Sequence, residues 1–415
     1  MESQNPSRTL AVKALLLLAF LVFQAPESST LSQALHSEPT LFQSPAPSPP
    51  SRTPKFPQNP RLRRILLGAL FGSLTGFVAS IIILLLVRLL LMYACRAPIL
   101  KGPVVFCPSI SPKTLQSLLS TDAQSMQLIV SSPNGKYYRV VLDEDELTMA
   151  VKRLEPSPSS GSPPVNSNSQ KRRVQHELEM LARVKHRNVM SLRAYIRDQD
   201  RFWLVYDYIP GGSLEDAMAR VRSQQLTLGW DARLRIAVGI AKGLRYLHFE
   251  CSRRILHYSL KPSNVMLDEG FEPRLGDFGL AMLENSRLDT PSSATHYVAP
   301  ECFQSCRYHE ALLYTDKSDV YSFGVILGVL FTGKDPSYPF FAGETGRGSL
   351  GRWLRHLQQA GEAREALDKG ILGEEMEEEE MLMAIRIAIV CLSDLPADRP
   401  SSDELVAMLT QLHSF

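Results

Sequence analysis

The sequence is poor in cysteine. Its 415 residues include six, and none of the six precedes Cys95. They follow no spacing typical of metal-binding sites, and the N-terminal part has none with which to form disulfide bonds. The sequence therefore predicts no metal site and a set of reduced thiols in a cytosolic domain.

The sequence also lacks a strong excess of charge of either sign. Its formal net charge is +2 at pH 7, and charged residues make up 21% of the chain. Nucleic-acid-binding domains usually carry a marked basic excess, so the composition predicts no nucleic-acid partner. A chain of this length can hold two domains, or one large domain with appended segments.

The first 64 residues have too few apolar side chains to build a folded domain. Arg8 and Lys13 precede one short apolar run at 14–23, which predicts a secretory signal peptide over 1–25. An uncleaved signal anchor is the alternative, and both direct the chain into the secretory pathway. Residues 26–64 are rich in serine and proline, and are predicted to be a short, disordered extracellular segment.

Residues 65–92 form the longest apolar stretch of the chain. At about 1.5 Å per residue, a helix of this length crosses the roughly 30 Å hydrocarbon core of a bilayer. The sequence therefore predicts one transmembrane helix, followed by a juxtamembrane linker over 93–124. Basic residues flank both ends of the helix, so the positive-inside rule does not decide its orientation.

Three glycines recur at every fourth position of this apolar stretch, as Gly68, Gly72 and Gly76. Residues four apart lie on one helix face, and small residues there let a second helix approach closely. This spacing suggests that the glycine face packs against another single-span protein. The alternative is that glycine is simply frequent in membrane helices.

Residues 255–268 resemble the protein kinase catalytic loop, His-Arg-Asp-Leu-x-x-x-Asn. The Asp of that pattern accepts the proton of the substrate hydroxyl, and the Asn holds Mg²⁺. Asn264 is kept, but Tyr258 stands at the Arg position and Ser259 at the Asp position. A serine hydroxyl stays protonated at pH 7 and cannot act as this base. The sequence predicts a kinase fold that has lost its catalytic base.

Other nucleotide-binding positions of a kinase are retained. Lys152 ends a Met-Ala-Val-Lys segment that matches the phosphate-pairing lysine strand, and Glu177 is predicted to pair with it. Asp277 begins an intact Asp-Phe-Gly. With Asn264, these residues predict that nucleotide binding, if retained, involves Mg-ATP, is weak, and is not required for function.

The segment at the place of the Gly-rich loop is degenerate. It carries Val130, Ser132 and Gly135 where the template has three glycines, so only the last glycine remains. The first two glycines let the backbone approach the phosphates closely, and side chains at these positions crowd that space. The alternative is that the segment is an ordinary Pro-Asn-Gly hairpin.

Further kinase motifs follow in the expected order, and they place Glu301, Asp319 and Arg399 at structural positions. With the hinge-like stretch 202–214, the chain resembles the plant receptor-like kinase family, in particular its membrane-anchored pseudokinases. The resemblance implies an α+β, bilobal kinase-like domain over 125–413. It also implies that Glu301 and Arg399 form an ion pair.

The same resemblance implies a biological role that the residues alone do not indicate. It implies a signalling scaffold or co-receptor for peptide hormones in meristem maintenance, at the plasma membrane with a cytoplasmic C-terminus, after assembly in the endoplasmic reticulum. The implied partner is a leucine-rich-repeat receptor of the CLAVATA type that lacks a kinase domain, bound through the transmembrane helix. A homo-oligomer is a second option. An active Ser/Thr kinase with an unconventional base is the alternative function.

Overall fold

The computed structural model divides the chain into two compact units, Met1–Pro98 and Ile99–Phe415. The first unit is described over 60–94 only. In the second, the structure describes residues 102–107, 110–112, 115, 127–132, 135–142, 147–154, 168–198, 201–280, 295–302, 314–342, 349–372 and 378–412. The predicted signal peptide and most of the predicted extracellular segment lie outside the described residues.

The first unit contains one long apolar helix, α1, over Pro60–Ala94. Its Pro60–Met92 portion contains an 18-residue stretch with a mean hydropathy of 2.6 and is long enough to cross a membrane, so α1 is a candidate transmembrane helix. It begins five residues before the predicted span. A Cβ atom added at Gly68, Gly72 or Gly76 would meet nothing within 4 Å, so the glycine face of α1 is open.

The N-terminal lobe of the second unit is an antiparallel sheet with one packed helix. The strand order is β1-β5-β6-β4-β3-β2. The elements are β1 Val104–Val105, β2 Gln127–Ser132, β3 Gly135–Leu142, β4 Leu147–Leu154, helix α2 Asn168–Leu181, β5 Leu192–Asp198 and β6 Arg201–Asp207.

Alternation along the strands divides the apolar side chains of this lobe between two faces of the sheet. On β4, Ala150 and Leu154 belong to the same core cluster as Leu178 of α2. Met149 and Val151 belong to a separate cluster on the other face. The sheet therefore has a helix-covered face and an outer face, and both are buried.

Residues 104–106, 110 and 115 belong to this lobe, although the sequence analysis assigned them to a linker. Val104 pairs with Tyr195 and Val105 with Ala194 on β5. Ile110 and Leu115 are 5% and 0% exposed and join the outer-face cluster. The predicted linker over 93–124 is therefore wrong for this part. A two-residue strand is too short to produce a periodic signal in the sequence.

The C-terminal lobe is helical and is built around one buried helix. Its elements are α3 Leu214–Arg222, α4 Trp230–Arg245, the short strands β7 Val265–Leu267 and β8 Pro273–Leu275, α5 Asp316–Thr332, α6 Pro339–Ala342, α7 Leu350–Ala360, α8 Glu378–Cys391 and α9 Ser402–Gln411. Most residues of α5 are buried, including its aspartate Asp319. A helix without a polar face is stable only inside a core. The predicted α+β, bilobal kinase-like fold is confirmed.

Substitution of Leu115 tests whether the described residues before β2 are part of the fold. Because this side chain is fully buried, Leu115→Ala should lower the free energy of unfolding by roughly 2–5 kcal/mol. Urea unfolding of the second unit measures this change. Leu128→Ala is the matched control, since Leu128 is 51% exposed, and it should cost far less. Equal stability of the two variants would contradict the packing described above.

Candidate functional site

The catalytic-loop segment is held in place by the buried carboxylate of Asp319. Its Oδ2 accepts a hydrogen bond from the backbone N–H of His257 at 2.8 Å and lies 2.9 Å from Nε2 of His248. Its Oδ1 accepts from the backbone N–H of Tyr258 at 3.1 Å and from the Tyr314 hydroxyl. Burial is the largest influence and would raise the pKa of Asp319, but the hydrogen bonds and charges of His248, His257 and Tyr314 together outweigh it and lower the pKa below its usual value.

Tyr258 stands where the template has arginine, and its backbone is in the left-handed region with φ of 66°. Few residues other than glycine adopt this conformation, so the surrounding hydrogen bonds must hold it. The ring packs on Tyr314 with centroids 4.6 Å apart. The position therefore supplies an aromatic contact within the C-terminal lobe instead of a cation.

Ser259, at the position of the catalytic base, is bonded to Asn264. The Asn264 side-chain amide donates to the backbone carbonyl of Ser259 at 2.7 Å and to its hydroxyl oxygen at 3.2 Å. These bonds preserve the shape of the loop. They do not supply a carboxylate, so the loop has a catalytic conformation without the group that would accept a proton.

Both carboxylate oxygens of Asp277, the aspartate of the Asp-Phe-Gly motif, contact other protein groups. Lys152 Nζ lies 2.6 Å from Asp277 Oδ2, and both side chains are almost completely buried. The hydroxyl of Tyr137 donates a hydrogen bond to Asp277 Oδ1. Lys152 Nζ also lies 5.1 Å from the centroid of the Tyr137 ring. The partly buried tyrosine and the buried lysine and aspartate thus form one cluster.

This cluster lies where a kinase binds the nucleotide phosphates and Mg²⁺. By type, Lys152, Asn264 and Asp277 suit Mg-ATP, because a lysine pairs with phosphate and the other two ligate the metal. By arrangement they do not fit it, because Lys152 and Tyr137 occupy both oxygens of Asp277. Nucleotide entry therefore requires Tyr137 to leave the aspartate.

Glu177 does not pair with Lys152, and this sequence prediction is wrong. Arg253 Nη1 lies 3.4 Å from Glu177 Oε1, whereas Lys152 Nζ is at 2.6 Å from Asp277. The lysine ammonium is bound by the nearer of its two candidate acids. A catalytic kinase needs both the lysine–glutamate pair and the aspartate–Mg²⁺ contact, and this arrangement lacks the first of them.

The positions of the Gly-rich loop lie in β2 and β3, whose pairing has an irregularity between Leu128 and Val130. Val130 is paired with Tyr137, and Ser132 with Gly135, across the β2–β3 ladder. This pairing agrees with the hairpin alternative of the sequence analysis. The two residues between the strands, 133 and 134, lie outside the described part of the chain.

Sequence reasoning missed Tyr137, which closes the site. Tyr137 stands two residues after Gly135, where the template Gly-x-Gly-x-x-Gly-x-Val has a valine. A large aromatic residue in place of that valine was the available signal. The lost glycines are the more obvious difference from the template, and the replaced valine lies just after the last glycine position.

Glu301 and Arg399 come together as a bidentate ion pair. Arg399 Nη1 lies 2.7 Å from Glu301 Oε1, and Nη2 lies 2.9 Å from Oε2. The Ser318 hydroxyl also donates to Glu301 Oε1 at 2.9 Å. Burial is the largest influence and would raise the pKa of Glu301, but the hydrogen bonds and charge of Arg399, with the hydrogen bonds from the backbone and Ser318, together outweigh it and lower the pKa. The pair fixes the segment around Glu301 to the C-terminal lobe.

A metal ion bound by the protein needs several ligating side chains close together. Within the described ranges, no group of three or more His, Cys, Asp and Glu side chains is placed to hold a metal ion.

Comparison with known proteins identifies the family and two kinds of relative. The protein kinase domain family matches residues 127–409. Over 331 residues, the chain is 60% identical to the inactive leucine-rich repeat receptor-like protein kinase CORYNE of Arabidopsis thaliana, covering 80% of this chain and 79% of that protein. It is 33% identical to the Arabidopsis thaliana receptor-like serine/threonine/tyrosine-protein kinase SOBIR1, over 75% of this chain and about half (49%) of that protein.

A solved structure with the same fold is also that of an inactive kinase. The pseudokinase domain of BIR2, an immune regulator of the RLK/Pelle family, superimposes with a TM-score of 0.59 at 29% sequence identity. The superposition covers 78% of this chain and 93% of the BIR2 chain.

Removal of the Tyr137 side chain should open the nucleotide site. We expect millimolar Mg-ATP to raise the unfolding temperature of the wild-type second unit only slightly, and that of Tyr137→Ala clearly more. A ligand at 100 times its dissociation constant adds about 2.7 kcal/mol of stability. Thermal unfolding with and without Mg-ATP measures the difference.

The matched control is Tyr138→Ala. Tyr138 packs near Trp203 on the outer face of the sheet, with ring centroids 6.3 Å apart, so its removal should leave the nucleotide effect unchanged. A large wild-type shift at micromolar Mg-ATP would show that Tyr137 does not close the site.

Proposed function

Because this chain belongs to the protein kinase family, among the receptor-like kinases, we propose that it is a membrane-anchored pseudokinase that signals by binding other proteins. The kinase fold then acts as a scaffold and not as an enzyme. One observation carries the proposal: Lys152 and Tyr137 occupy both oxygens of Asp277. Mg²⁺ has to displace at least one of these contacts before Asp277 can ligate it, which weakens the metal contact that the phosphates need.

The loss of the base at Ser259 supports the same conclusion independently. A positioned general base contributes about 10²–10⁴-fold to a reaction rate. The displaced Glu177 removes a third requirement of catalysis, because Lys152 no longer has its activating partner. The relative named inactive and the BIR2 pseudokinase agree with this interpretation.

The proposal includes a cellular context that comes from similarity. At 60% identity over most of both chains, we place this protein beside CORYNE as a co-receptor in CLAVATA-type peptide-hormone signalling, which controls plant meristem maintenance. The proposed location is the plasma membrane, with α1 as a single span, the C-terminus in the cytoplasm, and assembly in the endoplasmic reticulum. The proposed partner is a leucine-rich-repeat receptor protein without a kinase domain. A homo-oligomer is a further option.

An active Ser/Thr kinase with an unconventional base is the second candidate. Lys152, Asn264 and Asp277 are kept, and phosphoryl transfer depends mainly on positioning and electrostatics. One relative, SOBIR1, is named a receptor-like serine/threonine/tyrosine-protein kinase. The contacts of Asp277 and Glu177 favour the scaffold, because this second function needs both groups elsewhere.

Phosphotransfer measured with labelled ATP should be at background for the wild-type second unit. Ser259→Asp alone should remain near background as well, because Tyr137 still holds Asp277. In a plant rescue assay, Ser259→Asp should signal like the wild type. Robust wild-type autophosphorylation that disappears in Lys152→Ala would favour the active kinase instead.

Substitution within the glycine face of α1 tests the proposed route to the partner. Gly72→Leu should reduce co-precipitation with the receptor protein, since lipid offers no hydrophobic drive and association depends on close packing. The open space around Gly72 makes the leucine tolerable within the helix itself. Leu74→Phe, an enlargement on the opposite face, is the control and should change little. An unchanged complex in Gly72→Leu would place the contact outside α1.

A further inference from the structure

A groove with a volume of about 580 Å³ lies in the C-terminal lobe, separate from the kinase-like site. One wall is a face of α9 that extends from Glu404 to Gln411, about 10 Å at 1.5 Å per residue. The other walls come from α8, the start of α5 and the loop before α9. We call it the α8–α9 groove, and it is lined by Lys317, Val390, Ala397, Asp398, Arg399, Pro400, Glu404, Ala407, Met408 and Gln411.

The middle of the groove is apolar and open to solvent. Val390 of α8 is 42% exposed, and Leu395, two residues before the lining residue Ala397, is 64% exposed. Ala407 and Met408 of α9 complete the apolar strip. Adjacent exposed apolar side chains with a polar rim are typical of a protein interaction surface.

The rim of the groove is acidic. Asp398 and Glu404 line it, and Asp403, next to Glu404 in the chain, is exposed. The backbone N–H and the hydroxyl of Ser401 both donate to the Glu404 carboxylate, and these bonds lower the pKa of Glu404. The carboxylate therefore stays charged at neutral pH.

The two cationic residues of the lining do not balance this charge. The Arg399 guanidinium is completely buried and paired with Glu301. The Lys317 ammonium donates a hydrogen bond to the backbone carbonyl of Arg399, and it is the one remaining cation of the lining against Asp398, Asp403 and Glu404. The outer rim therefore carries a net negative potential, which attracts basic side chains.

We propose that the α8–α9 groove binds a basic amphipathic helix of a partner protein. Apolar side chains of such a helix would fill the strip along α9, and its Lys or Arg residues would meet the acidic rim. The same charge argues against other occupants. An acidic rim repels anionic lipid and nucleic acid, and two copies of one acidic rim repel each other in a symmetric pair.

This surface adds a function beyond the proposed pseudokinase role, since it contains none of Lys152, Ser259 or Asp277. It gives the scaffold a place for a cytosolic partner that is distinct from the membrane helix. Its test does not depend on nucleotide or on phosphotransfer.

The probe is a fluorescent synthetic peptide of leucine and lysine, with leucines at helical spacing, measured by anisotropy against the full chain in neutral-lipid nanodiscs. Ala407→Arg should weaken its binding at least about tenfold, because arginine blocks the strip and repels lysine. Ala219→Arg, at an exposed alanine of α3, is the matched control and should bind like the wild type. Both positions are exposed, so both variants should fold, which thermal unfolding verifies.

A second peptide, with glutamate in place of lysine, tests the charge complementarity. We expect it to bind at least about tenfold more weakly than the lysine peptide. Equal binding of the two peptides, equal effects of the two arginine substitutions, or the absence of wild-type binding would each overturn the proposal. Loss of self-association in Ala407→Arg would also overturn it, since the occupant would then be a second copy.

Discussion

The second unit depends most on how one buried carboxylate, Asp319, is satisfied. An unpaired carboxylate inside a protein is very unfavourable, so its partners are fixed as firmly as the core itself. Those partners are the backbone of the catalytic-loop segment and a histidine of the C-terminal lobe. The loop therefore keeps the shape of a kinase loop even though Ser259 has replaced the catalytic residue, because that shape is set by backbone contacts to α5. A kinase fold can lose its chemistry at this position without losing its structure.

A second set of charges determines what the fold can do. Lys152 has two candidate acids, Asp277 and Glu177, and it is bound to the first. The same aspartate would have to ligate the metal, so the ion pair that stabilises the cleft also removes a catalytic requirement. Tyr137 adds a hydrogen bond to the free oxygen of that aspartate. The inactivity proposed for this chain thus rests on two contacts of Asp277, with Lys152 and with Tyr137, in addition to the missing base at Ser259.

The sequence predicted those parts of the site that depend on residue type at fixed spacing. The positions of Lys152 and Asp277 followed from short motifs, and so did the bilobal fold. The choice of partners could not be predicted in the same way. Whether Lys152 pairs with Glu177 or Asp277 depends on ångström-scale placement of α2, which no spacing encodes. The packing of the residues before β2 could not be predicted for another reason. It comes from the two-residue strand β1 and from two isolated apolar residues, Ile110 and Leu115.

That short strand also determines where the folded unit can be cut. The region that matches the kinase family begins at residue 127, after β1 and the outer-face residues Ile110 and Leu115. A chain that starts there would leave β5 as a bare sheet edge, with unpaired N–H and C=O groups that can template pairing with another chain. It would also uncover the apolar side chains of the outer face. The family boundary and the physical boundary of this lobe are different, and a protein truncated at the first would be prone to self-association through its N-terminal sheet.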